Sequence, residues 1–211
     1  MDANPAVQLY GGPILRSGDQ ETAFAPTQAC LVALAYLEPK GSLTRERVSG
    51  LLWEEAARER QCHRIRQLVY AINDRAGHPV LVREGEAILP VLSSDVAELQ
   101  PSAEPPLARV TAIPTAAFEQ WLDLAVKRME QERTLRLAEV LDHHVADGRW
   151  GSAFDIAVLL IELSGGAFHW AEAAISCAAR AGKVQTARAI LDKFEVNSEA
   201  VSYTHLRAHE T

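Results

Sequence analysis

Paired cysteines are absent from this chain. Its three cysteines, Cys30, Cys62 and Cys177, are scattered, form no CxxC pair and leave one odd. That excludes a disulfide framework or a cysteine zinc site and points to a reduced, cytoplasmic setting. Long apolar runs are also missing. "ACLVALAYL" and "IAVLLIEL" fall well short of the ~20 residues that span a bilayer. The opening "MDANPAVQLYGG" lacks the basic start and apolar stretch of a secretory signal. No GK[ST] follows the glycines of "YGGP" or "LSGGAF", so neither is a phosphate loop. No HExxH is present, and no third ligand stands near "LDHHVADG", so His143 and Asp147 read as a solvated helix end and no metal or other cofactor is expected. Cys62 and His63 are adjacent and diverge on a helix, which leaves an inert thiol rather than a nucleophile. No catalytic set survives, and an enzyme is not expected.

What is present is a chain of 211 residues, 48% hydrophobic and 23% charged, enough to build packed cores. Its net charge of −7 argues at first against nucleic acid. The distribution argues otherwise. Residues 1–100 hold 10 Lys and Arg against 13 Asp and Glu. Yet between Ala56 and Arg75 stand five arginines (Arg58, Arg60, Arg64, Arg66, Arg75) against only Glu59 and Asp74. A basic strip on an acidic body can steer a polyanion while the remainder repels nonspecific contact.

Punctuation orders the first half. "VQLYGGPILR" breaks at Gly11-Gly12-Pro13 and predicts a short hairpin. Pro26 opens an apolar helix that Pro39 and Gly41 stop. Thr44 is the expected N-cap of "RERVSGLLW", with Val48, Leu51 and Leu52 on one side. A longer helix then runs to Ala76 and stops at Gly77 and Pro79, and "PVLVREGEAILPVL" predicts a hairpin turning at "REGE".

The longer helix is the informative one. Ile65, Leu68, Val69, Ile72 and Ala76 recur at three- and four-residue spacing and form one buried stripe. At roughly 100° per residue, Arg60, His63, Gln67, Tyr70 and Asp74 fall opposite, flanked by Arg64 on one side and by Arg66 and Asn73 on the other. Arg bonds guanine, Gln and Asn bond adenine, and flanking arginines hold phosphates.

"LTRERVSGLLWEEAARERQCHRIRQLVYAINDRAG" resembles the DNA-binding segment of the antibiotic regulatory protein (SARP) family of bacterial activators. Leu52-Trp53, Arg64, Ile65, Arg66, Gln67, Tyr70, Ile72 and Arg75 carry the resemblance, with "SSDVAEL" after the hairpin. It implies an OmpR-type winged helix whose third helix enters the major groove of double-stranded DNA and whose wing touches the backbone or minor groove. Carried over, the DNA-binding candidates are Arg60, His63, Arg64, Arg66, Gln67, Tyr70 and Asn73, Arg83 on the wing, and Thr44 and Arg45 at a helix start near phosphate. One departure is that "INDR" stands where many relatives have more arginine.

The second half resembles the bacterial transcriptional activator domain of the same family in "FEQWLDLAVKRM", "ADGRWGSAFDIAVLLIEL" and "AARAGKVQTARAILDKF". Helices with small residues at crossing points and glycine ends read like tetratricopeptide units. Trp121, Trp150 and Trp170 are expected in cores. The expected architecture is mainly α: a winged helix-turn-helix (α+β) over 1–99, a Pro-rich linker over 100–114, and an all-α tetratricopeptide-like domain over 115–200. The final "VSYTHLRAHET", residues 201–211, can be spelt by codons as a transposase-type sequencing adapter read in frame. It is expected not to be native, which would make His205 and His209 irrelevant to metal and imply that the natural protein continues past about residue 200.

The resemblance implies a sequence-specific transcriptional activator, cytoplasmic and nucleoid-associated, dimeric on DNA, touching RNA polymerase and no membrane. The alternative is a scaffold that binds only proteins, which the acidity of both halves favours.

Overall fold

The computed structural model describes residues 4–38, 43–53, 58–96 and 104–194, without the side chains of 58–60. The stops at Pro39 and Gly41, the Glu54-Glu55 segment, the end of "SSDVAEL" and the tail 201–211 lie outside the described residues. The chain divides into two compact units, Met1–Met129 and Glu130–Thr211. The first is a winged helix and the second is all helical.

The first unit opens with β1 (Ala6–Gln8), β2 (Ile14–Ser17) and β3 (Gln20–Ala23). The expected hairpin is there: β1 and β2 pair antiparallel with Val7 opposite Leu15. Its turn uses Gly11 and Gly12 at φ +84° and +130°. Glycine is required at Gly12 for a second reason, because a Cβ there would lie 2.3 Å from Arg109 Cβ and 3.0 Å from its backbone N. Helix α1 (Pro26–Leu37) starts on proline, and Gln28 Oε1 accepts the Ala25 N–H at 2.9 Å. Ala29 to Ala35 are buried without a break, which makes α1 the centre of the unit rather than a surface helix.

Strand β4 (Leu43–Thr44) leads into α2 (Arg45–Leu52), whose N-cap Thr44 accepts the Arg47 N–H through Oγ1 at 3.2 Å. Val48, Leu51 and Leu52 pack inward as their spacing predicts. Helix α3 (Arg58–Ala76) follows, then β5 (Leu81–Glu84) and β6 (Ala87–Pro90), which pair as the wing around Gly85-Glu86. Strand β4 joins β6 on its other edge, giving the order β4-β6-β5. Strand β7 (Ser93–Ser94) then lies parallel to β1 and completes the sheet β3-β2-β1-β7. Next to it the Asp95 carboxylate accepts the N–H groups of Leu9 at 2.7 Å and Tyr10 at 3.0 Å. Burial raises its pKa and these backbone donors work against that rise.

The described part of the Pro-rich segment, 104–114, is packed into the first unit. Gly11 N–H donates to Pro105 O and Leu107 N–H to Leu9 O, each at 2.9 Å. Leu107 is buried at φ +54°, a left-handed conformation that costs a leucine about 1 kcal/mol. Its neighbours Pro106 and Val110 are buried as well, so apolar burial outweighs that cost. Thr115 ends the strap: its buried hydroxyl donates to Leu51 O at 2.7 Å and accepts the Phe118 N–H at 3.0 Å.

Helix α4 (Ala116–Ala146) contains the boundary between the units. It is the single long helix that the sequence allowed as one or two. In the second unit its later residues Leu137 and Leu141 form a core with Ala153, Ala157, Leu160, Ala174 and Cys177. Those come from α5 (Trp150–Leu163) and α6 (Phe168–Arg180), and the chain is helical again over 184–194. Fully buried Ala153, Ala157, Ala171, Ala174 and Ala178 let the α5 and α6 backbones approach closely. Trp121 is in the first core, whereas Trp150 and Trp170 are only half-buried and pack at the edge of the second. Arg180 lies 4.5 Å over the Trp150 ring.

Candidate nucleic-acid interface

The candidate site is built on α3 and the wing. Ile65, Val69 and Ile72 are buried and Leu68 and Ala76 pack beside them, so the orientation of α3 follows from its apolar stripe. That turns His63, Arg64, Arg66 and Gln67 outward, all exposed, with Tyr70 71% exposed. These five form one open ridge of donors, acceptors and cations. The Arg64 guanidinium lies 5.9 Å from the Trp53 ring, so the residue that ends α2 steadies an arginine on α3. Arg60 is within α3, with its side chain outside the described residues.

Asn73 is not part of the ridge. Its Oδ1 accepts the N–H groups of Val80 at 2.9 Å and Leu81 at 3.0 Å, and its Nδ2 donates to Leu81 O at 2.8 Å. This amide joins α3 to the first strand of the wing. The approximate helical angle placed Asn73 beside the ridge, but the chain after Gly77 folds back onto that flank. Arg75 is also turned to the body, donating to Ala23 O at 3.2 Å.

Thr44 and Arg45 sit at the start of α2 as expected, and both are engaged. Thr44 caps the helix. Arg45 reaches the wing turn, where its Nη2 donates to Gly85 O and its Nη1 lies 3.4 Å from Glu86 Oε1. The Arg45 backbone N–H donates to Glu86 O at 3.0 Å. Its Nη1 also stands 4.0 Å from Cys62 Sγ. Arg83, on β5, is half-buried with the charges of Arg45 and Arg66 acting on it. Burial first, then those like charges, lowers its pKa, while Cys62 and Glu86 act the other way. The sequence named Arg45, Arg66 and Arg83 separately, and the fold brings Arg45 and Arg66 into electrostatic range of Arg83. Beside them a cleft of about 620 Å³ is lined by Thr44, Arg45, Ser49, Gln61, Cys62 and two carboxylates, Glu46 and Glu86. Glu86 was not among the expected site residues, since nothing in "REGE" reveals that its turn meets Arg45.

Elsewhere, His143 pairs with Asp147 at 3.4 Å on an exposed helix end. No group of three or more His, Cys, Asp and Glu that could hold a metal occurs among the described residues. No described helix is long and apolar enough to cross a membrane.

No protein-family model and no curated protein matches the chain. Its fold is nonetheless shared. The chain is similar to EmbR of Mycobacterium tuberculosis, solved in complex with a low-affinity phosphopeptide, at a TM-score of 0.64 and 11% identity. The match covers 93% of this chain and 60% of that one, so the chain spans only part of its neighbour's length. At that identity the likeness is one of fold: a winged helix followed by helices.

Proposed function

We propose that the chain is a DNA-binding transcriptional regulator that inserts α3 into the major groove. The observation that carries this is the open ridge His63, Arg64, Arg66, Gln67 and Tyr70 on a helix whose opposite face is buried. Gln67 and His63 are assigned to base edges, Arg64 and Arg66 to phosphates, and Tyr70 to sugar or backbone. Arg45, Arg83 and the capped start of α2 line the phosphate side. Asn73 supports the reader helix instead of reading. The helical second unit serves self-association and contact with RNA polymerase, in keeping with the SARP resemblance and an activator's role.

The competing reading, a protein-only scaffold, draws on the net charge of −7. It leaves the ridge without an explanation. Mobility shift with genomic fragments at ~0.1 M salt separates the two. Preference for particular fragments over random DNA supports the regulator, and equal or absent binding refutes it.

A further inference from the structure

The wing turn carries an acid where a DNA-contacting loop would be expected to carry none. The Glu86 side chain is 76% exposed, yet its carboxylate is directed at Arg45, whose own side chain is only 19% exposed. The contact is a single N–O approach of 3.4 Å, long for a charge-assisted bond. A single, partly exposed contact at this distance holds weakly and is easily exchanged. Around it the donors outnumber the acceptors. The Nε–H groups of both Arg45 and Arg83 are buried without a hydrogen-bond partner. Buried donors in native proteins are nearly always satisfied by protein, water or a bound group, so both arginines keep capacity for a further acceptor. The charges of Arg45 and Arg66 both act on Arg83, with Glu86 on the wing as a counter-charge and Glu46 in the cleft wall beside Arg45. A phosphodiester offers two unbridged oxygens to the fork of each arginine, a better match than one carboxylate oxygen.

We propose that Glu86 is a resident phosphate mimic, which holds Arg45 and offsets the charge of Arg83 until a backbone phosphate of duplex DNA displaces it. This rests on the DNA-binding reading above and adds a discrimination step to it. Every duplex must displace the carboxylate, whatever its sequence. Weak nonspecific contact is thereby taxed, and only a site that also satisfies the α3 ridge binds well. The effect belongs to affinity in general, not to base preference.

The test is fluorescence anisotropy of the full chain with a random-sequence duplex across a salt series. Glu86→Gln is expected to raise affinity about 3- to 10-fold at ~0.1 M salt and to steepen the log–log salt slope by about one. Glu84→Gln removes the same charge from an exposed position on the same hairpin and is expected to change affinity less than about twofold, since exposed charges are screened over ~10 Å. In an Arg83→Gln or Arg45→Gln background the gain from Glu86→Gln should vanish, and two backgrounds guard against either variant failing to fold. Equal gains from Glu84→Gln and Glu86→Gln, no gain, or a gain that survives both arginine substitutions overturns the mimic while leaving the regulator reading intact. A wild-type chain that binds no duplex at any salt overturns the regulator reading itself, and the mimic with it.

Discussion

Replacing Asn73 by Ala would remove three hydrogen bonds at the junction of α3 and the wing. Two serve the backbone N–H groups of Val80 and Leu81, and one serves Leu81 O. Both residues are fully buried, so water cannot substitute freely for the lost amide. A hydrogen bond nets about 1 kcal/mol, and a buried group left without a partner costs about 1–3 kcal/mol. Better helix propensity of Ala returns about 0.6 kcal/mol. The expected loss is therefore about 2–4 kcal/mol, measured by urea denaturation of the first unit followed by circular dichroism. Asn73→Asp keeps the acceptor and turns the donor into a repulsive carboxylate beside Leu81 O, so it should fall between wild type and Ala. If Asn73 instead reads a base, Ala at this position would cost less than about 0.5 kcal/mol, as surface changes do. It would also relax sequence preference at one position. That pair of results would refute the structural role assigned here.

Further expectations concern the site and the strap. Gln67→Ala should erase sequence preference with little change in salt slope, whereas Arg66→Ala should weaken binding to all sequences and lower the slope by about one. Thr115→Val leaves Leu51 O and the Phe118 N–H without the hydroxyl and should cost about 1–3 kcal/mol in denaturant unfolding; an unchanged midpoint would contradict the clamp. Burial pushes the Cys30 thiol up to about 11 and the Tyr36 phenol up to about 12. For both groups the folded pKa lies above the unfolded one, so the stability they confer is present below their ordinary values of 9.0 and 10.0 and fades as pH rises through the folded values. Stability should drop between those limits, and Cys30→Ala should flatten the drop at its lower end. A flat profile would count against burial as the cause.

Much of the fold was legible because its elements announce themselves locally. The α3 stripe Ile65–Val69–Ile72, the proline at the start of α1 and the Thr44 cap each depend on neighbours within a turn or two. The open ridge followed from the same period. What sequence could not disclose came from long-range returns of the chain. Strands β4 and β7 have two residues each, too short for alternation to register. The prolines of 104–114 suggested a linker, but Leu107 and Val110 are the apolar residues that decided its fate. Asn73 looked like a reader by angle alone, and the hairpin that occupies its amide begins seven residues later. The Arg45–Glu86 contact joins residues that only the β4–β6 pairing makes neighbours.

The buried strap has a consequence for how such a protein can be divided. Its residues satisfy the carbonyl of Leu9 and the N–H of Gly11 and reach the last turn of α2 through Thr115. A winged helix cut at residue 99 would expose the pocket for Leu107 and strip the end of α2 of its outside partner. The segment thus belongs to the first compact unit. Grafting this winged-helix body onto another chain would succeed only if the graft carried the chain through Thr115 and the start of α4.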